Sequence, residues 1–560
     1  MEKIWLKSYP PGVPMEIDLK TCGTLVDLIE GMFENYSDKP AYANLGKVLS
    51  YGQIDKMSRD FAAYLQNDLG LEQGERVAIM MPNILQYPIA LFGILRAGLI
   101  VVNVNPLYTA RELEHQLKDS GAKAIVILEN FAHVLQKVIG HTEVRHVITT
   151  QIGDCLSFLK GLLVNLVLKY VKKMVPAWYL PQSKPFAVCL GKGSKHPYQR
   201  PKVKPSDVAF LQYTGGTTGV SKGAMLTHLN LTANIRQVEH WIGPHMTRGK
   251  EIILTPLPLY HIFALTANCF THGFFGSLNV LITNPRDMPN FVKEMQKWPF
   301  TCMTGVNTLF NGLLNTPGFS DLDFSKMKMA MGGGMAVQKP VAMRWKEVTG
   351  TPLIEAYGLT ETSPAAVINP LDIEDYTGYI GLPIPSTEVS LRNDDGQEVP
   401  LGEPGELCIK GPQVMPGYWN KPKETEASFF PDRFLRTGDI ATMSDTGYLK
   451  IVDRKKDMIL VSGFNVYPNE IEDVVAAHPG VLEVAAIGIP DKKSTEAVKL
   501  VVVRKDPELT EEALMAFCKE NFTGYKRPKA IEFRDELPKT NVGKILRRAL
   551  REDPPPNTEG

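Results

Sequence analysis

Apolar residues fall in several kinds of run along this chain, and each kind predicts an element. Short, nearly unbroken runs predict strands buried on both faces: Arg76-Val-Ala-Ile-Met-Met81, Ile100-Val-Val-Asn-Val-Asn105, Ala122 to Leu128 and Val208-Ala-Phe-Leu-Gln-Tyr213. Helical segments lie between them. Ile84 to Gly98 is mostly apolar, as a buried helix would be. Thr109 and Glu112 form a capping box that opens the next helix, and Gly121 ends it. Strands alternating with helices predict parallel pairing.

One helical stripe differs in kind. Over 156–175, Leu159, Leu162, Leu163, Leu166, Val167, Tyr170, Val171 and Met174 share one face. Lys160, Lys169, Lys172 and Lys173 lie off it or on its flanks, and the segment holds no acid. A basic amphipathic helix can lie in an anionic membrane surface. Stripes of this kind more often pack on a protein core, so core packing is the expectation.

Beyond the stretch 213–223 the pattern turns toward a helix, and α/β texture continues to about residue 376. From Thr377 to Val452 short alternating runs are broken by turn signals such as Asp395-Gly396 and Thr446-Gly447, which predicts a small β-rich subdomain. Past Asp453 the texture is α+β. Pro468 to His478 reads as a helix, Val481 to Ile489 and Val498 to Lys505 as strands, and Thr510 caps a further helix. The expected organisation is an α/β N-terminal domain, 1–452, with its β-rich part at about 377–452. A small α+β C-terminal domain, 453–552, follows, and 553–560 is expected to be a disordered tail.

Composition narrows the function. At 560 residues the chain holds several domains or subdomains. Lys+Arg and Asp+Glu are equal at 61 each, so no global field favours nucleic acid. The seven cysteines form no Cys-x-x-Cys pair, which predicts reduced thiols in a cytosolic compartment and no zinc site. Met1 to Trp5 opens no apolar leader, and no run has the length of a transmembrane helix.

The candidate chemistry begins at Tyr213-Thr214-Gly215-Gly216-Thr217-Thr218-Gly219-Val220-Ser221-Lys222-Gly223. Glycines bring backbone N–H groups close to an anion, threonines add hydroxyl donors, and Lys222 adds a mobile charge. That suits a polyphosphate, although the stretch is not a Walker A loop. Gly219-Val220-Ser221-Lys222-Gly223 also matches the Gly-x-Ser-x-Gly of a hydrolase elbow, but Gly215-Gly216-Thr217-Thr218 intervene between the strand and that motif. Further on, His261 sits among Leu257, Tyr260 and Phe263. Gly332-Gly333-Gly334 follows a strand-like run. Tyr357-Gly358-Leu359-Thr360-Glu361 offers a ring, a hydroxyl and a carboxylate. Asp439 follows turn-like Gly438, Arg454 lies in a charge run, and Lys544 follows Gly543. A single carboxylate such as Glu361 suffices for a nucleotide's Mg²⁺, which keeps several waters. An acid such as Asp439 suits ribose hydroxyls.

In this order, these stretches closely resemble the adenylate-forming superfamily of acyl-CoA synthetases, luciferases and peptide-synthetase adenylation domains. The resemblance covers essentially the whole chain, and Ser462 to Glu472 is similar to the start of that family's mobile C-terminal domain. Residues 431–456 resemble a fatty acyl-CoA synthetase signature, with one departure. Where the family often reads Asp-Gly-Trp-Leu-His-Thr-Gly-Asp, this chain has Asp432-Arg-Phe-Leu-Arg-Thr-Gly-Asp439. The resemblance implies long-chain fatty acid–CoA ligation that feeds fatty acid degradation. ATP and Mg²⁺ serve the first step and coenzyme A is the co-substrate. It implies that 213–223 holds pyrophosphate and Glu361 holds Mg²⁺. Asp439 and Arg454 take the ribose. Gly333, Gly334 and Tyr357, with Gly358 and Thr360, take the rest of the nucleotide. Lys544 reaches the acyl carboxylate and α-phosphate, and His261 and Phe263 line the acyl entrance. Lys544, Glu361, Thr214 and His261 form the expected catalytic group. A cytoplasmic enzyme, peripheral on the inner membrane surface, fits this family, and so does a homodimer.

Three other readings stay open at this level: a ligase for another carboxylic acid, a serine hydrolase at Ser221, and a non-catalytic nucleotide or fatty-acid binder. A peptide-synthetase-like acceptor is disfavoured, because the sequence ends soon after Lys544 with no carrier domain.

Overall fold

Residues 2–214, 221–491 and 494–552 are described here in a computed structural model. Among them, four sheets organise the chain. The first has seven strands in the order Lys184–Pro185, His146–Thr150, Ala124–Leu128, Arg76–Met80, Ile100–Asn103, Val208–Thr214, Lys222–Thr227. Every neighbouring pair is parallel except the last. The Thr109 capping box is formed, and Gly121 closes the helix Ala110–Ser120 at φ 60°, a left-handed value that glycine adopts without steric cost. Every residue of the helix Gln86–Arg96 is buried. Its Leu91 and Phe92 share one core with Val77 and Val101 of this sheet and with Leu254 and Val280 of the next. An apolar helix between two sheets needs no polar face, and each large side chain buried there contributes about 1.5–3 kcal/mol.

The second sheet has nine strands, from Leu382–Pro383 and Ala365–Ile368 at one edge to Pro40–Asn44 and Lys47–Ser50 at the other. Its central six are parallel and include Met329–Gly333 and Leu353–Gly358. A third, four-stranded antiparallel sheet comprises Glu388–Arg392, Gly405–Lys410, Leu435–Met443 and Leu449–Arg454. The fourth is built on the long pair Val481–Asp491 and Thr495–Arg504, with the helices Pro468–Ala476 and Glu511–Asn521 in the same unit. The α/β reading with a smaller α+β unit therefore holds. The expected tail at 553–560 lies outside the described residues.

Two expectations are corrected. The chain does not turn directly into a helix after Gly223. It forms the strand Lys222–Thr227, antiparallel to Val208–Thr214, and only then the helix His228–Ile242. Six residues are too few for periodicity to separate an edge strand from a helix start. The stripe at 156–175 also does not pack on the core. In the helix Phe158–Leu166, continued by a π-turn over Val167–Val171, Phe158 is 82% exposed, Leu159 77% and Leu163 62%. The face turned inward is the small and polar one. A Cβ on Gly153 or on Gly161 would lie 2.4 Å from the other's carbonyl oxygen. Asn165 Oδ1 accepts from the Gly153 N–H at 2.8 Å, and Asn165 Nδ2 donates to Gln151 Oε1 at 2.9 Å. A hydrophobic period identifies a face, not the direction it points. No helix among the described residues is long and apolar enough to cross a membrane.

Candidate active site

The hairpin of Val208–Thr214 and Lys222–Thr227 forms the first wall. Tyr213 pairs with Gly223 and Thr214 with Lys222. A Cβ on Gly223 would come 3.1 Å from the Tyr213 ring, so glycine lets that ring lie across the pair. The Tyr213 hydroxyl donates to Asp119 Oδ2 at 2.7 Å, and burial together with that carboxylate holds the phenol protonated. His115 Nε2 meets the Ser221 carbonyl at 2.9 Å. Gly215, Gly216, Thr217, Thr218, Gly219 and Val220 lie outside the described residues.

Tyr418 joins this wall to the acid. The Lys222 ammonium lies 4.5 Å from the centroid of its ring, a cation–π contact. Its hydroxyl donates to Glu361 Oε1 at 2.6 Å. Burial, then the Glu361 charge, raise the Tyr418 pKa, so it remains a donor. The Glu361 backbone is fixed as well, because its carbonyl accepts from Met415 N–H at 2.8 Å. Glu361 and Thr360 share the short 3-10 turn Thr360–Thr362.

A second wall comes from the nine-stranded and four-stranded sheets. Tyr357 lies near the end of the strand Leu353–Gly358, and its hydroxyl donates to Asp439 Oδ2 at 2.6 Å across the sheet boundary. Asp439 is buried, and Arg454 Nε stands 3.4 Å from its Oδ1. Asp439 and Arg454 are register partners in adjacent strands. Gly438 keeps a left-handed φ of 73°, but within the strand Leu435–Met443 and not in a turn. Gly333 and Gly358 leave no room for side chains. A Cβ at Gly333 would lie 3.0 Å from Ala356 O and 3.1 Å from the Phe263 ring, and one at Gly358 would lie 1.9 Å from Pro364 O.

Lys544 closes the cleft from the C-terminal unit. It sits on a turn held by Thr540 N–H to Lys544 O at 2.7 Å and Lys544 N–H to Thr540 Oγ1 at 3.1 Å. Thr308 Oγ1 donates to Gly543 O at 2.8 Å and docks that turn on the N-terminal side. Gly334, at φ 79°, faces the arriving side chain: a Cβ there would lie 3.1 Å from Lys544 Cε. Burial lowers the Lys544 pKa to about 8, reinforced by Arg454 and opposed by Asp439 and Glu361. His261 belongs to the same neighbourhood. Burial, and then the Lys544 charge, push it down to about 3, so its imidazole is neutral. Its Nδ1 accepts from the Phe263 N–H at 3.3 Å.

The described residues singled out in the sequence thus converge on one cleft from distant stretches. Residue-by-residue reading missed Tyr418, Asp119, His115 and Thr308. Tyr418 lies in Gly417-Tyr418-Trp419, an aromatic pair beside a glycine, and that was the available signal. The arrangement can hold a polyanion between Lys222 and Lys544, and a diol beside Asp439. For a cation it offers the single carboxylate Glu361. No cluster of three or more ligating side chains occurs among the described residues. That donor set fits an ion arriving on phosphates and not a resident metal.

Comparison with known proteins gives the same picture from another direction. Residues 30–419 match the model for AMP-binding enzymes, and 470–544 match that for the AMP-binding enzyme C-terminal domain. The chain is 60% identical over 553 residues to a long-chain-fatty-acid–CoA ligase of Escherichia coli O6:H1, covering 99% of this chain and 98% of that protein. It is 54% identical to a long-chain-fatty-acid–CoA ligase of Haemophilus influenzae, covering 99% of each. Among solved structures, it resembles the anthranilate CoA ligase AuaEII in complex with anthranoyl-AMP. That match has a TM-score of 0.83 and 25% identity, over 96% of this chain and 97% of that one.

Proposed function

The chain belongs to the AMP-binding enzymes, and from that premise we propose that it is an ATP-dependent long-chain fatty acid–CoA ligase. The observation that supports this reading most is the placement of Lys544, from the C-terminal unit, against Gly334 on a turn that Thr308 docks, within the electrostatic reach of Asp439, Arg454 and Glu361. In the first half-reaction a fatty acid carboxylate oxygen attacks the α-phosphorus of ATP. The bond to the bridging oxygen breaks, leaving acyl-adenylate and pyrophosphate. In the second, the sulfur of coenzyme A attacks the acyl carbonyl carbon. The carbon–oxygen bond to the phosphate breaks, the thiol proton is released, and acyl-CoA and AMP result.

The residues divide the work as follows. Lys222, Thr214 and the N–H groups of the stretch 213–223 hold the departing pyrophosphate. Asp439, oriented by Tyr357 and Arg454, takes the ribose hydroxyls, and the backbone at Gly333 and Gly334, with Tyr357, forms the adenine site. Lys544 neutralises charge gathering on the carboxylate and α-phosphate. His261, neutral and tied to the Phe263 backbone, lines the acyl entrance and is no base. Glu361 would hold Mg²⁺, whose charge offsets that of the phosphates. The unit 453–552 turns about the hinge at Asp453 between the two steps, withdrawing Lys544 so that coenzyme A reaches the carbonyl.

The test is AMP release across fatty acids of increasing length, with and without coenzyme A. Long-chain acids should drive AMP release that needs ATP, and sustained turnover should need coenzyme A. Preference for an aromatic acid would install the other-carboxylate reading, and ATP-independent ester cleavage would install the hydrolase.

A cytoplasmic enzyme of fatty acid degradation meets its substrate at membranes, and the exposed helix supports a peripheral location. Its outward Phe158, Leu159, Leu163 and Tyr170 sit beside exposed Lys169, Lys172 and Lys173 with no acid among them. Each lysine near an anionic surface is worth about 1 kcal/mol. Changing the three lysines to Glu should weaken binding to phosphatidylserine-containing vesicles, most at low salt. Unchanged binding would refute the membrane role of this helix.

A further inference from the structure

Arg547 lies three residues beyond Lys544, opening the terminal helix Arg547–Glu552, and its side chain is only 14% exposed. Its guanidinium forks onto Glu472, with Nε to Oε1 at 2.9 Å and Nη2 to Oε2 at 2.6 Å. Nη2 also donates to Asn469 Oδ1 at 2.5 Å. Nη1 stands 3.5 Å from Asp453 Oδ1 and 3.5 Å from Asp457 Oδ2. Three carboxylates therefore converge on one cation that cannot lose its charge. Arg551 assists at Asp457, 3.1 Å from its Oδ1.

Asp453 makes this more than a surface cluster. Its backbone belongs to the four-stranded sheet, paired with Ile440, and the ladder continues to Lys455 N–H on Gly438 O at 3.0 Å. Its side chain is fully buried against the C-terminal unit, where Oδ2 accepts the Asn469 N–H at 2.8 Å. Asn469, Glu472 and Arg547 all belong to that unit. The segment that carries Lys544 thus has two anchors. Lys539 Nζ meets Glu483 Oε1 at 2.7 Å on the upstream side, and Arg547 grips Glu472 and the seam at Asp453 on the downstream side.

We propose that Arg547 is a positioning residue for adenylation: its fork braces the downstream end of the Lys544 segment against Glu472 and the seam at Asp453. The proposal rests on the ligase reading above. Adenylation needs Lys544 held in the cleft, whereas thioester formation needs it elsewhere. Loosening this anchor should therefore cost the first step and spare the second. Small misplacement of a charge at a reacting centre can lower a rate by up to about 10²-fold.

The experiment uses the full chain with Arg547→Gln and Arg547→Lys. ATP–pyrophosphate exchange reads the first step, acyl-CoA formation from synthetic acyl-adenylate reads the second, and thermal unfolding reads stability. Arg547→Gln should lower exchange by roughly 10- to 10²-fold and leave the second step within about threefold. Arg547→Lys, which keeps the charge and loses the fork, should recover part of the exchange. Equal losses in both steps in a folded protein would reduce Arg547 to a structural residue, and unchanged exchange would also overturn the proposal. If Arg547→Gln does not fold, the same split is read from Arg547→Lys alone. Absence of both steps in the unaltered protein would instead refute the ligase reading, and this one with it.

Discussion

Lys222 and Lys544 face the same cleft from opposite kinds of structure. Lys222 lies on a strand whose backbone is paired to Val208–Thr214, and its ammonium rests on the Tyr418 ring. Tyr418 in turn holds Glu361, so the Lys222 cation and the Glu361 acid share one support. Lys544 sits on a tight turn in a separate unit, whose Gly543 carbonyl accepts one hydroxyl bond from Thr308. The difference matches the two demands of the proposed reaction. Pyrophosphate leaves from a fixed place, so its counter-charge can be fixed. The carbonyl must be approached first by one group and then by another, so the charge beside it has to be removable. Rigidity on the Lys222 side comes from a ladder of backbone bonds, whereas the proposed motion of Lys544 needs only separate bonds such as Thr308 to Gly543, Asn311 to Leu482 and Lys339 to Asp473 to be given up.

The sharpest break of this comparison is to delete the movable charge. Lys544→Ala should lower ATP–pyrophosphate exchange by about 10²–10³, as removal of a transition-state donor does. Acyl-CoA formation from supplied acyl-adenylate should persist. Titration sharpens the same test. Burial holds the Lys544 pKa at about 8, below its ordinary 10.5, so docking the charged arm is penalised. That penalty is fully present below pH 8 and relieved as pH rises from there toward 10.5. Catalysis runs the other way, because the charged form does the work. Exchange measured as kcat/KM for ATP should therefore fall as pH rises past about 8 in the unaltered protein and show no such limb in Lys544→Ala. A limb that persists in the variant would assign it to another group, and near-normal exchange would remove Lys544 from the mechanism.

The two regions were unequally legible in the sequence. The alternating strands and helices of the first sheet could be read because local signals agree there: Thr109 with Glu112, Gly121 at a left-handed φ, and Arg76–Met80 as an apolar run. Each such signal depends on residues within a few positions of one another. The strand Lys222–Thr227 could not be separated from a helix start, because its identity is set by a partner strand and not by its own short pattern. Tyr418 meets Glu361 across 57 positions and Arg547 meets Asp453 across 94, distances at which single-chain periodicity carries no information. The stripe at 158–171 was legible as a face, but its direction was decided by Gly153 against Gly161, a contact between backbones. The site motifs were legible as a set because their order along the chain resembles a family. The contacts that orient them were not.

The smallest expected effect tests the fixed wall. Ser221 lies in the stretch that matches a hydrolase elbow, and the hydrolase reading makes it the nucleophile. The structure gives three reasons to expect little from its removal. Ser221 precedes a strand, whereas an elbow serine sits between a strand and a helix. The nearby imidazole of His115 meets the Ser221 carbonyl, not its hydroxyl. His261 is occupied with the Phe263 backbone and faces Lys544. In the ligase reading Ser221 is one hydroxyl among several donors, with Lys222 supplying the charge. Loss of one neutral hydrogen bond is worth about 0.5–1.5 kcal/mol, or roughly two- to tenfold in rate. Ser221→Ala should therefore keep ATP-dependent acyl-CoA formation within about tenfold of the unaltered protein. The change should appear mainly in KM for ATP, because the strand pairing that presents Lys222 is made by backbone atoms. Complete loss, together with an acyl-serine trapped on the unaltered protein, would make Ser221 the nucleophile and the fixed wall a covalent site.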